Sequence, residues 1–140
     1  MTEERTNELS LADSKRLAEE AVKLLVEKSA INVSMFDVAE HTSVTEFYVI
    51  ATGRSLSHTA SLADDLVDSF ELRGRLPGRV EGKKGNTWIL VDFGSLIVNI
   101  FDTEGRGFYN FDRLLPEESR CDIDYLVAEV DEKFSLNKKG

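Results

Sequence analysis

The sequence is poor in cysteine and proline, lacks a surplus of positive charge and contains no long apolar run. Each shortage removes a class of protein. Cys121 is the single cysteine, so no internal disulfide can form and no cysteine pair can seat a structural zinc, which makes a reducing cytoplasm the expected setting. Two prolines in 140 residues, with 41% hydrophobic and 31% charged side chains, describe a chain that buries a core and not a disordered one. No apolar stretch approaches the roughly 18 residues of a membrane span. Met1 to Ser10 is polar and acidic, where a signal peptide would be basic then apolar and a transit peptide rich in arginine. The net charge of −9 argues against direct electrostatic capture of nucleic acid, which needs lysine and arginine to neutralise phosphates. A basic protein partner fits that charge, and so does plain solubility.

The length suits one domain, since domains commonly run to roughly 100–150 residues. Ser10 followed by Asp13 reads as a capping-box-like start, and Leu17, Ala21, Leu24 and Leu25 repeat at helical spacing, which predicts a helix from Leu11 to Ser29. Ile31 to Val38 reads as a strand, and Phe47 to Ala51 as a second, apolar on both faces and therefore central. Thr52-Gly53-Arg54-Ser55 breaks that strand and caps a helix with the stripe Leu62, Ala63, Leu66, Val67 and Phe70, ending at Arg73-Gly74. A short strand near Arg79 to Glu81, a turn at 82–86, and strands Thr87 to Asp92 and Leu96 to Phe101 follow. Aromatic residues Phe108, Tyr109 and Phe111 precede a short turn or helix at Asp112 to Leu115, stopped by Pro116; Ile123, Leu126, Val127, Val130 and Phe134 then keep helical spacing. The expected fold class is α/β (α+β), a single mixed sheet of four or five strands flanked by helices. Its expected division is a flexible N-terminus over 1–10, the domain proper over 11–116 and a C-terminal helical extension over 117–140.

Chemistry-bearing residues do not assemble into an enzyme on paper. Gly53-Arg54-Ser55 between strand and helix offers backbone N–H groups to a phosphate, but a lone glycine fits neither nucleotide-binding pattern, and an ordinary N-cap explains it. A nucleotide- or phosphate-binding transferase would also need paired carboxylates on the next strand. Asp64-Asp65 instead fall inside a helix, pointing about 100° apart, and Asp122 and Asp124 sit at a helix start. His41 and His58 share no metal-ligand spacing, and Cys121 has no partner base. No catalytic residue, cofactor or metal is expected. The richest segment runs from Thr87 to Tyr109. Alternation puts Trp88, Leu90 and Asp92 on one face, with Ile97, Asn99 and Phe101 sharing a face of the next strand, while Ile89 and Val91 point the other way. If helices cover that other face, the first set forms an apolar patch with polar handles, as an interface core does. The alternative is that Trp88 and Phe101 are core, capped by the C-terminal helix.

Five blocks carry a resemblance: Thr45 to Ser55 (TEFYVIATGRS), Val80-Glu81-Gly82, Trp88 to Gly94 (WILVDFG), Ile97 to Phe101 (IVNIF) and Arg106 to Tyr109 (RGFY). In order and spacing they resemble the ribosomal silencing factor, or Iojap, family over about Leu17 to Leu115. The resemblance implies a sheet like that of nucleotidyltransferases but without their active site. It implies a translational repressor that binds ribosomal protein L14 on the large subunit and sterically blocks subunit joining, with no turnover, no membrane and no specific nucleic-acid contact. Self-association as a homodimer is a further possibility it raises. Carried over by position, the family's pattern falls on Glu81 and Gly82, on Trp88, on Asp92 and Gly94, and on Arg106, Phe108 and Tyr109. Together with the alternation above, the expected partner-binding set is Glu81, Trp88, Leu90, Asp92, Asn99, Phe101, Arg106 and Tyr109. Ser95, Asn99 and Leu115 depart from the family's usual aspartate, histidine and tryptophan. Asparagine keeps hydrogen-bonding capacity but cannot titrate near neutrality.

Overall fold

A computed structural model describes residues 7–139. The apolar strand β2 (Phe47–Gly53) takes the interior of a five-stranded sheet because both its faces must be covered, and β5 (Leu96–Asp102) runs parallel beside it. β1 (Ile31–Asp37) pairs antiparallel with β2 on one side. On the other side β4 (Trp88–Asp92) and then the short edge strand β3 (Arg79–Glu81) continue antiparallel, giving the order β1-β2-β5-β4-β3. Met35, Phe47, Val49, Ala51, Ile89, Val91, Leu96, Val98 and Ile100 form the main core with helices α1 (Ser14–Glu27) and α2 (Leu56–Leu72).

Helix α1 starts later than its capping-box reading suggests. Asp13, not Ser10, is the N-cap, accepting from the Arg16 N–H at 2.9 Å. The reason lies just upstream: Leu9 is fully buried and its N–H donates to the Arg73 carbonyl, so the chain must turn before the helix begins. Of the expected flexible stretch 1–10, residues 1–6 lie outside those described, and Leu9 anchors what remains. Helix α2 is capped by Ser55 as its sequence suggests, and buries Thr59, Leu62, Ala63, Leu66 and Phe70.

The segment after β5 is more ordered than expected. Asp102 caps α3 (Thr103–Tyr109) by accepting from the Gly105 N–H at 2.7 Å. Asn110 then adopts a left-handed conformation that breaks the helix, and a 3-10 turn, Phe111–Leu114, follows, with another at Glu117–Ser119. Helix α4 (Asp124–Lys139) forms where the apolar spacing placed a helix, yet it does not cap the aromatic sheet face. Before it starts, the chain bonds to the outer edge of β1, with the Cys121 N–H donating to the Met35 carbonyl at 2.8 Å. That contact directs α4 onto α1, where Leu126 and Val130 are buried, and it also covers part of an otherwise unpaired edge.

Candidate functional site

The register places Trp88 opposite Phe101, Leu90 opposite Asn99 and Asp92 opposite Ile97, and β2 extends these rows with Thr52, Ile50 and Tyr48. The face assignment made from alternation is therefore the one the sheet adopts. This face holds a second, smaller core of Phe36, Val38, Ile50 and Phe101, with Tyr48, Trp88, Phe111 and Leu115 packed against it. What covers it is the 103–115 segment. Tyr109 lies 4.7 Å and Phe111 5.8 Å from the Trp88 ring, centroid to centroid, and Phe101 lies beneath at 5.1 Å. One half of the face is thus roofed, and in the other, more open half Tyr48, Leu90 and Asp92 are half-buried.

The residues singled out from sequence divide accordingly. Phe101 and Asn99 are 0% exposed, so they support the surface from below. Trp88 is half-buried, and its indole N–H donates to Asn99 Oδ1 at 2.8 Å, which fixes the ring's orientation. Asn99 Nδ2 is enclosed and faces no acceptor. Leu90 and Asp92 lie half-buried in the open part. Asp92 accepts from the Gly94 N–H at 2.7 Å and from Arg79 at 3.4 Å, while Arg79 also pairs with exposed Glu81 at 2.7 Å, so the rim carries alternating charges. Tyr109 is exposed on its outer side. Arg106 alone points away from the open face, into a cluster of acceptors behind the aromatic roof.

Tyr48 and Leu114 were not anticipated, and Phe108, although matched to the family's pattern, stood outside the expected partner-binding set. Tyr48 stands at the open end of the face, its phenol pushed up by burial and by the charge of Asp92. Phe108 and Leu114 project from the roof, 81% and 74% exposed. Alternation along β2 could have assigned Tyr48 to the Ile50 side, but that it shares a face with Trp88 follows only from the β2–β5 pairing. Leu114 carries no sequence signal beyond being apolar near Pro116.

The turn Gly53-Arg54-Ser55 is filled by its own side chains. Ser55 Oγ takes the His58 N–H at 3.1 Å, and His58 Nδ1 takes the Arg54 N–H at 2.9 Å. A Cβ at Gly53 would strike the Thr59 hydroxyl and backbone, so the glycine is there for close strand-to-helix approach. The Arg54 and His58 N–H groups are thereby bonded within the turn itself. Asp64 pairs with Lys83 at 2.6 Å. Burial pushes the Cys121 thiol up, towards its inert protonated form. Among the described residues, no three histidine, cysteine or acidic side chains are grouped as metal ligands would be.

Fold and face together define a small α/β domain that presents an aromatic-rimmed sheet surface. The sequence profile described as "Ribosomal silencing factor during starvation" matches residues 11–139, and the chain belongs to that family. The match runs past Leu115 and through α4. Over 110 residues the chain is 29% identical to "Ribosomal silencing factor RsfS" of Zymomonas mobilis, spanning 79% of this chain and 82% of that protein. It is 33% identical over 106 residues to "Protein Iojap-related, mitochondrial" of Arabidopsis thaliana, spanning 71% of this chain and 56% of that one. A solved structure from Bacillus halodurans superposes with a TM-score of 0.68 at 25% identity, covering 77% of this chain and 98% of its own. Another, from Chromobacterium violaceum, gives 0.70 at 22% identity, covering 73% and 85%, and shows the shared fold. The chain is thereby placed among regulators that silence the ribosome when nutrients are scarce. Among the described residues, no helix is long and apolar enough to cross a membrane.

Proposed function

We propose that this protein represses translation in the cytoplasm by binding ribosomal protein L14 on the large subunit and sterically blocking subunit joining. The observation that carries this reading is the half-open sheet face, where Trp88, Leu90, Asp92 and Tyr109 are reachable and Phe108 and Leu114 stand proud beside them. An exposed aromatic and leucine cluster with a charged rim has the composition of a recognition surface. Membership of a silencing-factor family supports the ribosome as the target, and a net charge of −9 favours a basic ribosomal protein through complementarity. On this reading Glu81 and Asp92 face the partner's cations, Trp88 and Tyr109 supply the apolar anchor, and Phe101 and Asn99 hold Trp88 in place. Residues 11–116 then carry the docking face, and in the 117–140 extension Leu126 and Val130 are buried on its far side. Exclusion alone accounts for repression, with no reaction required.

The test is equilibrium binding of the purified protein to L14 and to large subunits, followed by a subunit-joining assay. Binding at micromolar concentration or tighter, with joining inhibited, is expected; a folded protein that binds neither overturns the proposal. Trp88→Ala should weaken binding by about thirtyfold, the ~2 kcal/mol of a buried interface aromatic. Its circular dichroism should remain native, because Phe101, Ile50 and Phe36 beneath it keep the smaller core filled.

A further inference from the structure

The motif residue whose placement departs most from a partner-contacting role is Arg106. Its guanidinium is forked, with five N–H groups, and all five are used. Nε donates to Asp112 Oδ1 at 2.8 Å. Nη1 donates to the Asn32 carbonyl at 2.7 Å and to Thr52 Oγ1 at 2.9 Å. Nη2 donates to Asp112 Oδ2 at 2.9 Å and to Ser34 Oγ at 3.2 Å. With the side chain only 16% exposed, no donor remains for a ligand.

The acceptors come from three separate elements. Asn32 lies within, and Ser34 bounds, the irregularity in β1 where pairing with β2 shifts, and Asn32 has a φ of 50°, so the bulge turns its carbonyl to Arg106. Thr52 belongs to β2, and Asp112 to the 3-10 turn. Arg106 itself is on α3. One side chain therefore fastens the 103–115 segment to two strands. The residues between the two ends of its ion pair include Tyr109 and Phe111, the rings that flank Trp88.

We infer that Arg106 is a positioning residue for the docking face: it fixes the Tyr109 and Phe111 rings against Trp88 and does not touch the partner. The inference rests on the proposal that this face is the one that binds the ribosome. A lysine in its place would keep the charge but offer three donors from one point, unable to span a bidentate carboxylate and three further oxygens.

Trp88 is the only tryptophan in the chain, so its emission reports on the aromatic roof directly. The experiment compares wild type, Arg106→Lys, Tyr109→Ala and the double variant by Trp88 emission in the free protein and by affinity for large ribosomal subunits. Arg106→Lys is expected to shift the emission to the red with native far-ultraviolet circular dichroism, and to weaken binding about tenfold. Added to Tyr109→Ala, it should cost little more, because both changes act through the same ring. Unchanged emission, or a binding loss that adds in full to that of Tyr109→Ala, overturns the inference in favour of direct contact. If Arg106→Lys does not fold, Asp112→Asn loosens the same clamp from its other end and is read the same way. Failure of the wild type to bind subunits would overturn the ribosome-docking proposal, while the emission shift would still decide whether Arg106 positions the Tyr109 and Phe111 rings.

Discussion

Asn99 shows how one side chain can serve a surface it never reaches. It is fully buried between the Leu90 and Ile50 positions of neighbouring strands, and its carbonyl oxygen holds the Trp88 indole N–H. The other end of the amide has no acceptor, a cost of about 1–3 kcal/mol for an enclosed donor. The position tolerates a polar group because the Trp88 bond uses one end of it, and an uncharged amide suits an enclosure that would penalise a cation. Asn99→His supplies a direct check. An imidazole there is expected to be neutral in the folded protein and to accept from Trp88, but to resist protonation because burial disfavours the charged form. Its folded pKa then lies below the unfolded value of about 6.5, so the variant should lose stability as pH falls below that value. The urea midpoint at about pH 5.5, taken relative to that at about pH 7.5, should therefore be lower for Asn99→His than for wild type; the same change in both would contradict the enclosure.

At the scale of elements, periodicity worked where a stripe or an alternation was long. The α2 stripe, the caps at Ser55 and Gly74, the five strands and their two faces were legible because each had several residues reporting on one environment. Helix α3 was not. Its sequence, TEGRGFY, holds two glycines and no apolar stripe, and its existence depends on contacts outside itself: the Asp102 cap, the Arg106 clamp and the fit of Gly105 beneath Thr87. A Cβ at Gly105 would run into the Thr87 carbonyl, so the helix can sit this close to β4 only with glycine there. The roof over the sheet was missed for the same reason, and with it the roles of Asp112, Ser34 and Thr52, which are ordinary polar residues until Arg106 brings them together. Because α3 has little intrinsic stability, its cap should matter more than its size suggests. Asp102→Ala is expected to cost about 1 kcal/mol of unfolding free energy and to disorder the Trp88 environment, visible as a weakened near-ultraviolet signal. An unchanged near-ultraviolet spectrum would mean the aromatic stacking alone holds α3 in place.

Across the whole molecule, two opposing electrostatic effects should shape the dependence of stability on pH. The chain carries −9 at neutrality with an isoelectric point near 4.7, so acidification first relieves self-repulsion and should stabilise the compact state modestly. Further acidification meets two carboxylates that folding has made stronger acids. Burial alone would raise Glu20, but its hydrogen bonds to Lys23 and Arg73 and their charges outweigh that and hold it below the usual range. Asp112 behaves likewise: burial opposes ionisation, and the forked Arg106 bonds and charge more than compensate. A carboxyl whose folded pKa lies below its unfolded value contributes stability above the unfolded value and loses it as pH falls through the folded one. With unfolded values of about 4.3 for glutamate and 3.9 for aspartate, the loss belongs below about pH 4. The urea midpoint should therefore rise slightly from pH 7 to about 5 and then fall steeply. Glu20→Gln joins α1 less firmly to the end of α2, and Asp112→Asn loosens the roof, so each variant should start lower at neutral pH and descend less steeply in acid. Curves that stay parallel to wild type down to the lowest pH would show that neither pair carries the acid sensitivity.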